Sequence, residues 1–472
     1  MRRRADVARL TPQGKTPSRM RRLLPALLAL LLVAVAAAAW LLGDLAGLGS
    51  AFTAKYLCSQ VFVADRAAEA VAREDLPAFR SAILDRVRWR LDRAGQRVQA
   101  DLLGLGRRLA RHRPGLGCSL ALAGPPADVP PPQPPAPSAP FTEAAAPPAL
   151  ARVVEAAFAE PDPRRPRRTR AVLILQHGRL LAERYAPGFD ATTRFPGWSM
   201  SKSVLNALLG ILVAEGRLAL DDPIPVPEWS AAGDPRRAIT LRHLLQMSSG
   251  LAFDEDYDNP RSDVIRMLYG RRDSAAYAAA KPLVSTPGSR FSYSTGTSAI
   301  LSRLVADTAP EPWPHFAQRA LFAPLGMASA VIEPDSAGTP GLASSVWARA
   351  RDWGRFGQLY LQDGVWQGRR LLPEGWVAFS RTPAPADPLR EYGAHFWIRV
   401  PHPDRLDAGR PHLVPADALH AAGHGAQYVS ILPSQGLVVV RLGLTLDPGS
   451  WDHEAFLHDV VATLATDEAR QP

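Results

Sequence analysis

The sequence predicts an α/β (α+β) protein: an antiparallel sheet assembled from the two ends of one compact domain, flanked by helices, with a helical lobe inserted between them. Three observations predict it. Strand-like runs stand near residues 171 to 185 and again from 428 to 442, helical spacing fills most of the stretch between, and an uncharged run at Leu23–Leu42 precedes them all.

The first 22 residues carry Arg2, Arg3, Arg4, Arg9, Lys15, Arg19, Arg21 and Arg22 against Asp6, so seven of the ten net positive charges lie there. As a helix, Leu23–Leu42 would span about 30 Å, the thickness of a bilayer core. The positive-inside rule then keeps the tail cytoplasmic and puts the rest outside, which predicts a single-pass inner-membrane protein with an extracytoplasmic (periplasmic) domain. The other reading is a signal peptide cut near Ala37-Ala38-Ala39, although its apolar core would exceed the usual ~7–15 residues. With the remaining charge spread thinly, the high pI reports membrane orientation and excludes a nucleic-acid surface.

Residues 43–123 mix apolar and Arg-rich stretches, such as Asp65 to Arg73 and Leu84 to Leu109, and read as a membrane-proximal helical segment with no chemistry of its own. Cys58 and Cys118 are the only cysteines, and both fall on the exported side, where a disulfide is expected. Closing a loop of about 60 residues would stabilise the fold by roughly 4 kcal/mol; two buried free thiols are the alternative. Residues 124–148 are crowded with Pro and Ala and read as an extended linker that does not pack.

The domain at 149–472 opens with a helix over Ala149 to Glu160, then a hairpin of strands Ala171 to Gln176 and Arg179 to Tyr185 turning at His177-Gly178. Val204 to Glu215 is helical and stops at Gly216, and Thr240 caps a helix over Leu241 to Met247. Further helices run to Leu361. Strands return at Glu391 to Val400, Tyr428 to Leu432 and Gly436 to Leu442, before a last helix from Asp452 to Ala465. The cleft between sheet and lobe is the expected site.

Of 55 basic side chains only Lys15, Lys55, Lys202 and Lys281 are lysines, and Lys202 lies three residues after Ser199 in Trp198-Ser199-Met200-Ser201-Lys202. Arg cannot give up its proton in a protein, whereas a buried Lys can, so a lysine kept here suggests a base. If Ser199 opens the helix, Lys202 projects from the same face one turn on and a neutral amine there takes the hydroxyl proton. Tyr293, in Tyr293-Ser294-Thr295, is the candidate proton relay, since a phenol facing an ammonium ionises more readily. Gly423 and His424, in Ala421-Ala422-Gly423-His424-Gly425, read as an edge strand whose N–H groups complete an oxyanion hole with that of Ser199.

These motifs, with Leu244-Leu245-Gln246-Met247-Ser248-Ser249-Gly250, Pro287-Gly288-Ser289-Arg290-Phe291-Ser292-Tyr293 and Pro324-Leu325-Gly326-Met327, resemble the serine β-lactamase-like hydrolases. That superfamily groups class C β-lactamases, DD-peptidases, esterases and 6-aminohexanoate-dimer hydrolase. The resemblance runs from about residue 150 to 465. It implies a β-lactamase/transpeptidase-like fold, Ser199 as acylated nucleophile, Lys202 as base, Tyr293 as relay partner, and the N–H groups of Ser199 and His424 as oxyanion donors. Two departures stand out: Tyr293-Ser294-Thr295 replaces Tyr-x-Asn, and Ala421-Ala422-Gly423 replaces Lys-Thr-Gly. The lost cation would hold a β-lactam or peptide carboxylate, so efficient turnover of either is not expected. The run Tyr392-Gly393-Ala394-His395-Phe396-Trp397 is most similar to the esterase and 6-aminohexanoate-dimer hydrolase branch. That likeness implies a small ester or amide substrate, with Tyr257 as a substrate hydrogen-bonder or a loop tyrosine without a role, and Trp397 as a pocket wall or core residue.

No metal or other cofactor is expected: on a strand His420 and His424 would stand about 13 Å apart, too far to share an ion with Asp417. A ligand sensor that keeps the acylable serine without turnover is the rival from another class.

Overall fold

The structure is a computed structural model that describes residues 19–133, 136, 139–401, 413–447 and 449–468. The expected basic tail up to residue 18 lies outside the described residues.

A single helix, α1 (Arg19–Phe62), opens the described chain. Its side chains change surroundings midway. Leu27, Leu30, Leu32, Val33 and Val35 are 57–67% exposed, whereas Ala51, Ala54, Leu57 and Cys58 are at most 1% exposed. The apolar run therefore projects from the fold, and the same helix continues into a core.

That core corrects the expectation of an all-helical segment. After α1 and a short helix at Ala68–Glu74, the chain forms an antiparallel four-stranded sheet, β1 (Val87–Asp92), β2 (Arg97–Leu102), β3 (Leu105–Arg113) and β4 (Gly117–Leu120), in sequential order. Val87, Trp89 and Leu91 alternate with Arg88 and Arg90, a period of two that packs one face and solvates the other. Leu103 and Gly104, both at positive φ, form the two-residue turn that folds β2 onto β3. The Cys58–Cys118 disulfide is formed and joins α1 to β4 across 6.0 Å between Cα atoms.

This module shares its core with the domain that follows: Tyr269 is buried in the same cluster as Leu48, Leu57 and Val71, and Trp198 and Ile265 pack against it. Two buried carboxylates cross the junction in opposite directions. Glu333 accepts from Ser59 Oγ and Cys118 N at 2.7 Å, from Trp347 Nε1 at 2.8 Å, and pairs with Lys55. Asp75 of the module accepts from Tyr56 at 2.8 Å and from Arg66 at 2.5 Å, and pairs with Arg170.

The Pro-rich stretch is also corrected, because parts of it dock. Val129 is 9% exposed within the main core, Arg355 donates to the Ala139 carbonyl at 2.5 Å, and Thr142 and Ala144 exchange backbone hydrogen bonds with Leu180. Proline removes donors but leaves carbonyls, and these carbonyls find partners.

The larger domain begins with α2 (Pro148–Phe158), β5 (Thr169–Gln176) and β6 (Arg179–Tyr185). Its lobe contains α3 (Ser201–Ala214) and α4 (Thr295–Thr308), and α5 (Ala350–Leu361) leads back to the sheet. The C-terminal strands are β7 (Leu419–Gly423), β8 (Gln427–Leu432) and β9 (Leu437–Gly443), followed by α6 (His453–Glu468). The five strands run β7-β8-β9-β5-β6, all antiparallel, so both ends of the domain do meet in one sheet. Val172 and Ile174 face α2 and α6, while Leu173 and Leu175 face the core beneath α5. Burial on both faces explains why β5 reads as a continuous apolar run. At Gly357 of α5 a Cβ would lie 2.5 Å from Val438 Cγ1, so only glycine allows this helix so close to the sheet.

One expected strand is absent. Glu391 to Val400 is irregular, touching the sheet through a single bridge between Trp397 and His420. His395 at φ +54° breaks the extended run.

Candidate active site

Ser199 lies in a 3₁₀ turn, Trp198–Met200, that leads straight into α3; the α-helix itself starts two residues later than expected, at Ser201. Trp198 holds φ +46°, a left-handed conformation that costs a bulky residue of order 1–3 kcal/mol. The surroundings impose it. Gly197 N donates to the Val346 carbonyl at 2.8 Å, Val346 N donates to Ser201 Oγ at 3.0 Å, and a Cβ on Gly197 would meet the Trp353 ring at 2.7 Å.

Lys202 is 1% exposed, and its Nζ lies 3.1 Å from Ser199 Oγ, 3.1 Å from Thr295 Oγ1 and 2.9 Å from the Ala343 carbonyl. Lys55 and Lys281 are each ion-paired, to Glu333 and Asp263; among the described residues Lys202 pairs with no carboxylate. Burial pulls its pKa down to about 8, against an upward pull from Glu255.

Glu255 acts from one residue further out. Thr295 gives it both its backbone N–H, at 2.8 Å to Oε2, and its hydroxyl proton, while the Tyr257 hydroxyl donates to Oε1 at 3.1 Å. Burial raises the Glu255 pKa, and Lys202 and Thr295 pull it back. With its proton committed to Glu255, the Thr295 oxygen is an acceptor towards Lys202. A neutral amine has two N–H donors and one lone pair. Thr295 Oγ1 and the Ala343 carbonyl match the two donors, and the lone pair is left for the Ser199 hydroxyl.

The Tyr293 ring faces Lys202, with Nζ 5.1 Å from its centroid, and stacks on Trp397 at 5.7 Å and edge-on to Tyr392 at 5.7 Å. The expectation of an easily ionised phenol is corrected. Burial, then the Glu255 charge, raises its pKa, and a hydrogen bond with Ser199 only partly offsets them, so the group is a protonated phenol. Its backbone position comes from Ser292 N donating to the Met247 carbonyl at 2.8 Å, and from Ser294, which caps α4 by accepting from Thr297 N at 3.0 Å.

Beneath α3, the buried His395 ring lies 3.2 Å from the Lys202 carbonyl through Nδ1 and 3.3 Å from Ser298 Oγ through Nε2. Burial, then Lys202, lowers its pKa to about 3, so the ring is neutral, donating from Nδ1 and accepting at Nε2. Ser203 Oγ donates to the His395 carbonyl at 2.8 Å. This pair of contacts fixes the helix that carries Lys202.

On the sheet side, a Cβ on Gly423 would sit 2.2 Å from the Gly197 carbonyl, so the end of β7 presses against the Ser199 turn. His424 follows on the surface, stacked on Tyr257 at 5.8 Å and on Phe79 of the module at 6.2 Å, with Trp198 edge-on at 5.5 Å. Ser199, Tyr257, Tyr293, Trp397, Gly423 and His424 all line one cleft of about 920 Å³. Its further rim carries Asp447, Asp452 and Glu454, and no Lys or Arg among the described lining residues. The three residues weighed as a metal set are dispersed in role. His420 is buried against Ser430 at 2.8 Å, Asp417 accepts from Ser434 N at 2.7 Å, and His424 belongs to the aromatic cluster.

Sequence reasoning did not find Glu255, the Thr295 link, the Ala343 carbonyl or His395. In the sequence Glu255 stands within the acidic run Asp254-Glu255-Asp256, and Thr295 marks only a departure from Tyr-x-Asn.

A family model described as Beta-lactamase matches residues 152–461. The 6-aminohexanoate-dimer hydrolase of Paenarthrobacter ureafaciens is 29% identical over 221 residues, 44% of this chain and 56% of that one. Penicillin-binding protein 4 of Amycolatopsis lactamdurans is 27% identical over 220 residues, 40% of this chain and 56% of that one. The chain thus spans a little over half the length of these curated relatives. Among solved structures, EstCE1, a hydrolase with promiscuous acyltransferase activity, superposes with a TM-score of 0.51 at 18% identity, over 67% of this chain and 98% of its own, which shows a shared fold.

Proposed function

The chain belongs to the Beta-lactamase family, and on that premise we propose that it is a serine hydrolase of carboxylic esters or of linear or cyclic amides. One observation carries the reading: the Lys202 amine, buried and with a pKa drawn to about 8, stands 3.1 Å from the Ser199 hydroxyl. The neutral amine takes the Ser199 proton as Oγ attacks the substrate carbonyl. The N–H groups of Ser199 and His424 stabilise the oxyanion, an effect worth about 3–4 kcal/mol per donor. As the tetrahedral intermediate collapses, the carbonyl–leaving-group bond breaks, and the proton held by Lys202 passes to the leaving oxygen or nitrogen with the Tyr293 phenol as relay. Water then repeats the sequence on the acyl-enzyme and releases the acid.

By the family resemblance, Ala421 stands where related enzymes carry the lysine of Lys-Thr-Gly. Without that cation a substrate carboxylate loses its partner, so β-lactams and peptide carboxylates are disfavoured. Tyr257 and Trp397 take the role of substrate-contacting walls. The exposed apolar half of α1 is a membrane anchor, and the disulfide fits an extracytoplasmic location for the rest.

Hydrolysis of p-nitrophenyl acetate tests the reading. Turnover that disappears in Ser199→Ala supports it; labelling of Ser199 by a fluorophosphonate without turnover of any ester or amide would instead favour the ligand sensor.

A further inference from the structure

A second cavity, of about 500 Å³, leaves Ser199 on the side of the membrane-proximal module. Leu45, Leu48 and Phe52 of α1, Ile83 and Leu84 after it, and Leu268 of the lobe line it. The spacing of the three α1 residues puts them on one helix face. One turn earlier, Leu42 is 60% exposed and continues the apolar run of α1. The module walls lie outside the family-matched residues 152–461.

The two cavities meet at Ser199, Tyr257, His424, Leu446 and Asp447. Beyond that junction the larger cavity carries Asp452, His453 and Glu454 beside Trp397 and Trp451, and the smaller carries the aliphatic side chains of the module with Arg80 and Asp258. At their junction Asp447 Oδ1 pairs with Arg80 of the module at 2.6 Å, while Oδ2 is buried with no partner among the described residues. A buried acceptor left open favours a ligand group that donates a hydrogen bond.

We infer that the slot holds the hydrocarbon arm of the substrate, making the preferred substrate class amphiphilic esters or amides whose uncharged, hydrogen-bond-donating head occupies the larger cleft. This rests on the acyl-transfer reading of Ser199. The aliphatic walls reward each methylene they bury, about fourfold in kcat/KM, the equivalent of ~0.8 kcal/mol. The arm enters beside the apolar half of α1, where a membrane would supply it.

The test uses the full chain in phospholipid nanodiscs and p-nitrophenyl esters from acetate to decanoate. The expected kcat/KM climbs about fourfold per methylene until the slot is full. Ile83→Trp, which fills the slot, and Leu84→Asn, which wets it, should each lower the decanoate-to-acetate ratio at least tenfold, with Tm reporting that the variants fold. Equal ratios in all three proteins overturn the inference, since partition into lipid is common to them. If no ester turns over, the reading of Ser199 fails, and equilibrium binding of decanamide to Ser199→Ala decides the slot alone. Binding weakened by added Ile83→Trp supports it; binding unaffected by that change overturns it.

Discussion

The Nζ of Lys202 and the carboxylate of Glu255 are joined through one hydroxyl, that of Thr295, which donates to the acid and accepts from the amine. The base of the site is thus oriented by a group it does not touch. Because the Glu255 charge stabilises the ammonium, it opposes burial and keeps the amine from becoming too weak a base.

The acid limb of the pH–kcat/KM profile should follow Lys202. The amine works only when neutral, so activity rises with pH through an apparent pKa of about 8. Glu255→Gln removes the charge that raises this pKa, so the limb should move to lower pH. A limb unmoved by that change would show that Glu255 is not felt at the base.

Thr295→Val keeps the shape and removes the acceptor. One N–H of Lys202 is then left unsatisfied in a buried site, a loss of about 1–3 kcal/mol, and kcat should fall roughly 5- to 150-fold, as the conversion of 1.4 kcal/mol per decade gives. Steady-state kinetics on a short ester, with Thr295→Ser restoring activity, separates this role from a packing role.

Much of this site could be read from the chain, and the reason is local. Ser199 and Lys202 are brought together by one turn of backbone, and the cap at Thr240 acts within three residues, so spacing alone carries them. The hairpin β5–β6 and the return of β8 and β9 follow from alternation and apolar runs. What was missed depends on long-range packing. His395 reaches Lys202 across 193 residues and Thr295 meets Glu255 across 40, distances that no pattern in the sequence encodes. The sheet β1–β4 was missed for a different reason, because its arginines also suit a solvated helix and only the alternation around Trp89 and the turn at Gly104 mark it.

The disulfide constrains a module that also walls the second cavity. Cys58→Ala with Cys118→Ala should lower unfolding stability by roughly 4 kcal/mol, the loop-closure value for about 60 residues. Urea unfolding measured with and without reductant checks it; identical midpoints would show that the loop is ordered without the bond.

Acid should destabilise the fold through its buried histidines. His395 and His420 have pKa values drawn down to about 3 by burial, below the ordinary 6.5. The unfolded chain therefore binds more protons in this window, and stability is full above pH 6.5 and falls as pH drops towards 3. At pH 5 each histidine accounts for about 2 kcal/mol of loss. Denaturant titrations at pH 7 and pH 5 should differ accordingly, and His420→Gln should reduce the difference.

The most direct measurement is intact-protein mass spectrometry during turnover of p-nitrophenyl acetate by the wild type and by Lys202→Arg. A neutral amine at Lys202 predicts an acetyl adduct on Ser199 in the wild type and none in the arginine variant, which keeps the charge and cannot act as the base. Acylation of Lys202→Arg at the wild-type rate would contradict the account.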